Sequence, residues 1–488
     1  MPSVRCVWSP VEHRWPAPTL RRDLPGGRPC PYQRSFDATR SGDTTPRIMG
    51  STGGVSHAGP GDHDSLIRSY EKGNGGGRML RASKGRLAPF RDSRFRLFFV
   101  TYSGSLLGSA MASVGLSFAV LGSTGSPADL GYVLAARIVP LVLFLVGGGV
   151  LGDRLPRRLV MLTADGVRAV SQGGVALLFA LGHPPLGAVM ALAAIGGLGE
   201  ALFTPSLEGL VPALTPREYL HEANALIGLS RSATSIAGPA LAGVLVALVG
   251  APAVLAVDAL SYALSVVGLA LLKVPATAFG HRDSLLTQLR EGWTQFSSRT
   301  WLWAITTQFA LFNLLVWAPY LVLGPASAQA HYGGAGAWGA IMAGYGIGAM
   351  VTGFALLGRR PRRPLAVATA VSFLWAAPSA CLVAGLPLAL VVVGAAGAGC
   401  AGAVFNTLWS TTVQQQVPAE ALSRVNSYVS FGSYALGPIG LAVAGVVAGA
   451  TSIGAVLAVG VGWQLVASAV VLALPSVRAV TNVRQPSP

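Results

Sequence analysis

Twelve apolar runs of about 20 residues, set apart by short polar breaks, restrict what this chain can fold into. A helix of that length spans the roughly 30 Å hydrocarbon core of a bilayer. In lipid only helices and closed barrels satisfy their own backbone hydrogen bonds. The runs are 97–122, 130–151, 159–181, 186–210, 225–249 and 252–272. After a polar interval come 301–323, 337–358, 365–385, 387–409, 427–449 and 453–474. Composition agrees, since 52% of residues are hydrophobic and only 11% charged, against about a quarter charged in soluble domains. The sequence therefore predicts an all-α membrane protein of twelve transmembrane helices in two six-helix halves.

The net charge of +16 suggests nucleic acid until it is mapped. Seventeen of the 35 Lys and Arg precede Leu97, and most of the others fall in alternate short loops. One set of loops holds Arg154, Arg157 and Arg158; Arg217; Lys273, Arg282, Arg290 and Arg299; Arg359, Arg360, Arg362 and Arg363; and Arg424. The other set, including 123–129 and 324–336, holds no Lys or Arg. That is the positive-inside pattern of a plasma-membrane protein with both termini cytoplasmic, and it leaves no role for nucleic acid. Residues 1–90, rich in Pro, Gly and Arg, read as a disordered cytoplasmic tail with Met49 and Met79 as later possible starts. The expected halves are 91–272 and 301–475, followed by a cytoplasmic tail, 476–488. The 273–300 linker places Leu285, Leu286, Leu289, Trp293 and Phe296 at helical spacing, as in an amphipathic interfacial helix. The four cysteines have no metal or disulfide spacing, and no G-x-x-x-x-G-K-[ST] stretch offers a phosphate site, so no cofactor is expected.

The halves are related in sequence. Phe203, Val211, Pro216, Glu218, Leu220 and Asn224 recur 202 residues later as Phe405, Val413, Pro418, Glu420, Leu422 and Asn426. Gly238-Pro239 recurs as Gly437-Pro438. Both copies run the same way through the membrane, a parallel repeat of the kind that encloses a substrate site in secondary transporters.

The loop Gly149-Val150-Leu151-Gly152-Asp153-Arg154-Leu155-Pro156-Arg157-Arg158 resembles the major facilitator superfamily signature G-x-L-a-D-r-x-G-r-k. Phe203-Thr204-Pro205-Ser206, Leu210-Val211-Pro212 and Ala223-Asn224-Ala225-Leu226 are similar to the branch containing bacterial macrolide-efflux and enterobactin-export proteins. The resemblance covers residues 90–475. It implies alternating access by a monomer, with Asp153 and Arg154 latching the inner face. The equivalent loop of the second half, 358–363, contains no acid, so such a latch is one-sided. Gly238, Pro239 and Gly243 partly match the superfamily's antiporter motif and mark a bend or a close packing point in the fifth span. The fourth span lacks the Arg usual in drug–proton antiporters.

Ionisable groups at membrane depth are costly unless paired or hydrated, which makes them functional candidates. They are Arg137, Asp165, Arg168, Glu200, Arg231 and Asp258, all in the first half. Asp165 and Arg168, three apart, read as a structural pair. Glu200, near mid-depth on a span that the resemblance places at the cavity, reads either as a proton- or substrate-coupling carboxyl or as the partner of Arg137 or Arg231. The resemblance places the span of Asp258 outside the cavity. Gln308, Asn313, Trp317, Asn406 and Trp409 offer amides and aromatic faces to an amphiphilic ligand, or act as helix-packing contacts. The expected function is not enzymatic: efflux of a small amphiphilic, cationic-to-neutral molecule against proton entry. A nutrient importer and a non-transporting sensor or assembly factor are the alternatives.

Overall fold

The computed structural model describes residues 88–152, 156–182, 184–272, 293–356, 359 and 361–481. Among them all regular structure is helical. The first half comprises α1 (Ser93–Thr124), α2 (Pro127–Gly152), α3 (Arg157–Ala180), α4 (Leu186–Leu214), α5 (Leu220–Val249) and α6 (Ala251–Leu271). The second comprises α7 (Thr300–His331), α8 (Ala335–Ala355), α9 (Pro364–Val383), α10 (Leu388–Gln416), α11 (Ala419–Tyr434 continued by Gly437–Ala450) and α12 (Ile453–Ala473). Among the described residues, eleven helices are long and apolar enough to cross a membrane. The exception is α3, whose Arg157, Arg158, Asp165 and Arg168 make it more polar; it packs between α4 and α6 in the same bundle.

Helix ends follow local chemistry. Asp92 caps α1, its Oδ1 accepting the Arg94 N–H at 2.8 Å. The hydrogen-bonding guanidinium of Arg94 holds the Asp92 carboxyl below the usual carboxylate range. Gly125, at φ 68°, closes α1 in the left-handed conformation that glycine tolerates. The Oγ of Ser452 accepts the Ala455 N–H at 3.0 Å to start α12.

Two extents differ from expectation. The seventh helix continues to His331 rather than stopping near 323, so the predicted 324–336 loop shrinks to residues 332–334. Gly324 and Pro325 look like a loop signal, but Gly324 gives room for the Trp338 indole of α8. The tenth helix runs on through the polar stretch 410–416, of which Ser410, Thr411, Gln414 and Gln415 are exposed. Of the predicted linker helix, Leu285, Leu286 and Leu289 lie outside the described residues. Residues 293–297 are helical, with Trp293 and Phe296 packed on Tyr428 of α11 at ring distances of 5.6 and 6.0 Å.

Three apolar clusters define the architecture. One draws on all twelve helices and lies at the end bearing the connections free of Lys and Arg. It contains Leu121, Leu130, Ala242, Leu255, Leu323, Ile341, Leu441 and Leu457. At the opposite end, nearest the Arg-rich connections, the cores are separate. Phe95, Met161, Phe203, Leu210 and Ile227 belong to the first half, and Leu302, Leu365, Phe405, Val413 and Val425 to the second. The halves meet where α5 packs on α8 and α2 on α11. Glycines allow this contact: a Cβ at Gly339 would come 2.5 Å from the Pro239 carbonyl oxygen, and one at Gly445 within 2.5 Å of Ala128 Cα. The halves are thus joined at one end and parted at the other.

Candidate functional site

A single face of α5 shows where the gap between the halves begins. Asn224, Gly228, Arg231 and Ser235 lie along one stripe and are exposed; Gly238 and Ala242 continue it and are buried. In the second half α10 exposes Asn406, Thr407, Ser410, Thr411 and Gln414. Polar side chains exposed on both walls belong to a water-filled cleft, since facing lipid would leave them unsatisfied.

The first-half wall is ionic. Arg137 of α2 donates from Nη2 to Glu200 Oε2 of α4 at 3.0 Å, the two side chains remaining 24% and 33% exposed. Arg137 reaches across because Gly197 lets α4 lie against the Arg137 carbonyl. Behind this pair, Arg168 of α3 bonds Asp165 Oδ1 at 3.2 Å and the Tyr262 hydroxyl at 2.5 Å. Its guanidinium also lies 4.0 Å from the Tyr262 ring centroid. Ser265 donates to Asp165 Oδ2 at 2.6 Å, and Ser109 pairs with the Tyr262 hydroxyl at 2.7 Å. A pocket of about 20 Å³, room for one water, lies among Arg137, Arg168, Gln172 and Tyr262. Arg231 stands apart: its Nε donates to the Tyr102 hydroxyl at 3.1 Å, and no acid pairs with it among the described residues.

The second half instead holds an aromatic core, with Phe312, Trp375 and Phe405 buried and Phe309, Trp317 and Trp409 half-buried against them. Phe309, Phe312, Trp317, Trp375, Phe405 and Trp409 form a continuous chain of ring contacts. Of the residues singled out in sequence, Trp317 and Trp409 are half-buried in this chain and Asn406 is exposed to the cleft. Asn313 is buried and donates to the carbonyls of Phe309 and Ser433, both at 3.1 Å, tying α7 to α11 at a π-helical turn. Gln308 is buried with neither amide atom partnered.

Gly238, Pro239 and Gly243 sit in an unbroken α5, where they give close packing. Gly238 meets Ala110 of α1, and Pro239 and Gly243 meet α8. Asp153 and Arg154 lie outside the described residues. The neighbouring Arg158 donates to the carbonyls of Leu269 and Ala270, satisfying the open C-terminus of α6. The partners Ser109, Tyr262 and Ser265 were not singled out from sequence. The signal was available: Asp258, Ser261, Tyr262 and Ser265 fall at spacings of three, four and seven, one polar face of α6.

Known proteins share both sequence and fold with this chain. It is 26% identical over 367 residues to the multidrug efflux pump Tap of Mycobacterium tuberculosis, covering 73% of this chain and 87% of the relative. The enterobactin exporter EntS of Citrobacter koseri is 29% identical over 345 residues, 68% of this chain and 80% of the relative. Among solved structures, a bacterial homologue of the iron transporter ferroportin in an inward-facing state superposes with a TM-score of 0.63 at 14% identity. It covers 78% of this chain and 97% of that one. Residues 84–487 match the family model described as transmembrane secretion effector. The chain is a multi-pass membrane transporter of the transmembrane secretion effector family, within the major facilitator superfamily.

Proposed function

We propose that this transporter exports a small amphiphile by alternating access, driven by proton entry. The observation that carries this reading is the cleft, which parts the two halves at the Arg-rich end and is sealed by a shared core at the other. With Arg-rich loops on the cytoplasmic side, the cleft opens to the cytoplasm, where an exporter collects its cargo. Rocking about the glycine-lined α2–α11 and α5–α8 contacts would expose it to the other side.

The walls indicate the cargo. The half-buried rings of Phe309, Trp317 and Trp409 on one side suit an apolar body. On the other, Glu200 is already matched by Arg137, which leaves Arg231 as an exposed cation beside Tyr102. Net positive charge on the wall favours a neutral or anionic amphiphile over a cationic one. The Arg137–Glu200 pair, accessible from the cleft, is the contact that cargo or a proton breaks. Everted vesicles from cells producing the chain test this. They should accumulate Nile red or anilinonaphthalene sulfonate when the lumen is acidified and lose them when a protonophore is added. No gradient-dependent accumulation across a broad amphiphile panel would refute proton-driven export.

A further inference from the structure

Among the described residues, three carboxyls of the first half, Asp165, Glu200 and Asp258, cluster with two guanidiniums, Arg137 and Arg168. Each Arg is committed. Arg137 lies 3.0 Å from Glu200, and Arg168 lies 3.2 Å from Asp165. Asp258 is the acid left over. It is 2% exposed, with no cation within 4 Å among the described residues. Its side chain receives a single long hydrogen bond, from Ser261 Oγ to Oδ1 at 3.5 Å. The same oxygen would lie 2.8 Å from a Cβ at Gly108, so α1 closes over it with a glycine. The charged groups acting on it from farther away are Arg137 on α2, Arg168 on α3 and Glu200 on α4. Tyr262 is its titratable neighbour on α6. A carboxylate buried without a counter-charge is too costly to persist, and such a group neutralises by holding a proton.

The second half offers an internal control. The α9–α12 contact corresponds to α3–α6, and it is made by Ser372, Gln464 and Ser468, all fully buried. The Ser372 and Ser468 hydroxyls are 2.9 Å apart, and Gln464 donates to the Ser372 carbonyl at 2.9 Å. This interface needs polar contact but no ions. The Asp165 carboxyl of the α3–α6 contact is therefore not a requirement of packing, and Asp258 lies outside that contact, against α1 at Gly108.

We propose that Asp258, rather than the cleft-facing Glu200, holds the proton exchanged during transport. The proposal rests on the proton-driven reading above. With Asp258 a carboxylic acid, the two guanidiniums and the two remaining carboxylates balance to zero. When cargo or water separates Arg137 from Glu200, the guanidinium is free to compensate an Asp258 carboxylate. The O–H bond of Asp258 then breaks, its electron pair stays on oxygen, and the proton passes to water in the cleft. Return to the outward-open state reloads it from the other side.

Infrared difference spectra of the purified full chain, recorded between neutral and alkaline pH, test this without any cargo. The parent should show the carbonyl stretch of a buried protonated acid. Asp258→Asn should lack it, whereas Glu200→Gln, which frees Arg137 to compensate an Asp258 carboxylate, should move its loss to lower pH. A band that persists in Asp258→Asn, or is absent from the parent, overturns the assignment. Because Asn mimics the protonated acid, Asp258→Asn should melt no lower than the parent at neutral pH; a lower melting point also counts against it. Asp258→Ser, a smaller neutral side chain beneath Gly108, provides a second variant. In proteoliposomes, both variants should exchange anilinonaphthalene sulfonate downhill yet lose at least tenfold of the accumulation driven by an acidic lumen. Accumulation at the parental level refutes Asp258 as the proton site. If the parent itself does not respond to the gradient, the transport reading fails instead, and the infrared band still decides whether Asp258 is protonated.

Discussion

Replacing Arg168 with Met should be the most damaging single change in the ionic network. Met keeps the length and apolar stem of the side chain but removes its charge. Asp165, fully buried, would keep only the Ser265 hydroxyl at 2.6 Å as a partner. The hydrogen bond to Tyr262 and the stacking on its ring, 4.0 Å away, are lost with the guanidinium. Breaking a buried ion pair from one side costs about 3–5 kcal/mol, because the remaining charge stays uncompensated. At roughly 2 °C per kcal/mol for a large domain, the melting temperature should fall by about 6–10 °C. Converting Asp165 to Asn in the same chain removes the orphan charge and leaves a side chain that still bonds Ser265. The double variant should therefore recover more than half of the loss. Retained monodisperse protein after heating in detergent, scored by gel filtration, measures both. A single variant within about 2 °C of the parent, or a double variant no better than the single, would refute the claim that Arg168 exists to neutralise Asp165.

Four further outcomes follow from the same structure. A reporter that matures only in the cytoplasm should be active when fused to Pro488; activity of a periplasmic reporter there would reverse the topology. Asp153→Asn should fold and insert normally but transport more slowly, and parental flux would reduce its loop to a topology signal. Gly445→Leu should stop transport with unchanged expression, because a side chain there overlaps Ala128 and keeps α2 and α11 apart; normal flux would show that this contact is not needed. Glu200→Gln leaves Arg137 unpaired, but both groups are a quarter to a third exposed, so the stability cost should be about 1 kcal/mol, near that of an exposed pair. Its effect should appear in cargo affinity, and an unchanged half-saturation concentration would remove it from the cleft site.

The membrane fold was legible in the sequence because lipid imposes one rule, hydrophobic length, on every span. The exceptions are physical. Gly324 and Pro325 looked like a loop because their local preferences are those of turns, whereas tertiary contact with Trp338 holds them in a helix. Arg137, Asp165, Arg168 and Glu200 stood out as charges in apolar runs, but their pairing depends on which helices touch. Only the i,i+3 pair Asp165–Arg168 could be assigned from spacing. The hydroxyls that complete the network were hidden because Ser and Tyr are common in spans and carry no charge. Asn313 looked like a cargo ligand because an amide in a span can serve either purpose, and only its bond to Ser433 distinguishes them.

Asymmetry between the related halves is what connects the fold to a cycle. A repeat built only for packing would use equivalent chemistry on both sides, and Phe203 and Phe405 do occupy matching buried positions on α4 and α10. The buried polar contacts do not match: Asp165 and Ser265 join α3 to α6, while Ser372 and Ser468 join α9 to α12. Keeping ions where hydroxyls suffice costs stability, so the ions of the first half answer to something other than packing. Buried aromatic packing is correspondingly concentrated in the second half. On the proposed reading, proton exchange in one half and cargo contact largely in the other report to each other only through the relative position of the halves. That position is set at the small-residue contacts of α2 with α11 and α5 with α8. Those contacts hold no ion pair among the described residues, so a rocking motion there breaks van der Waals contact alone. Protonation of the first half can therefore tip the balance between the two states without opposing a salt bridge at the hinge.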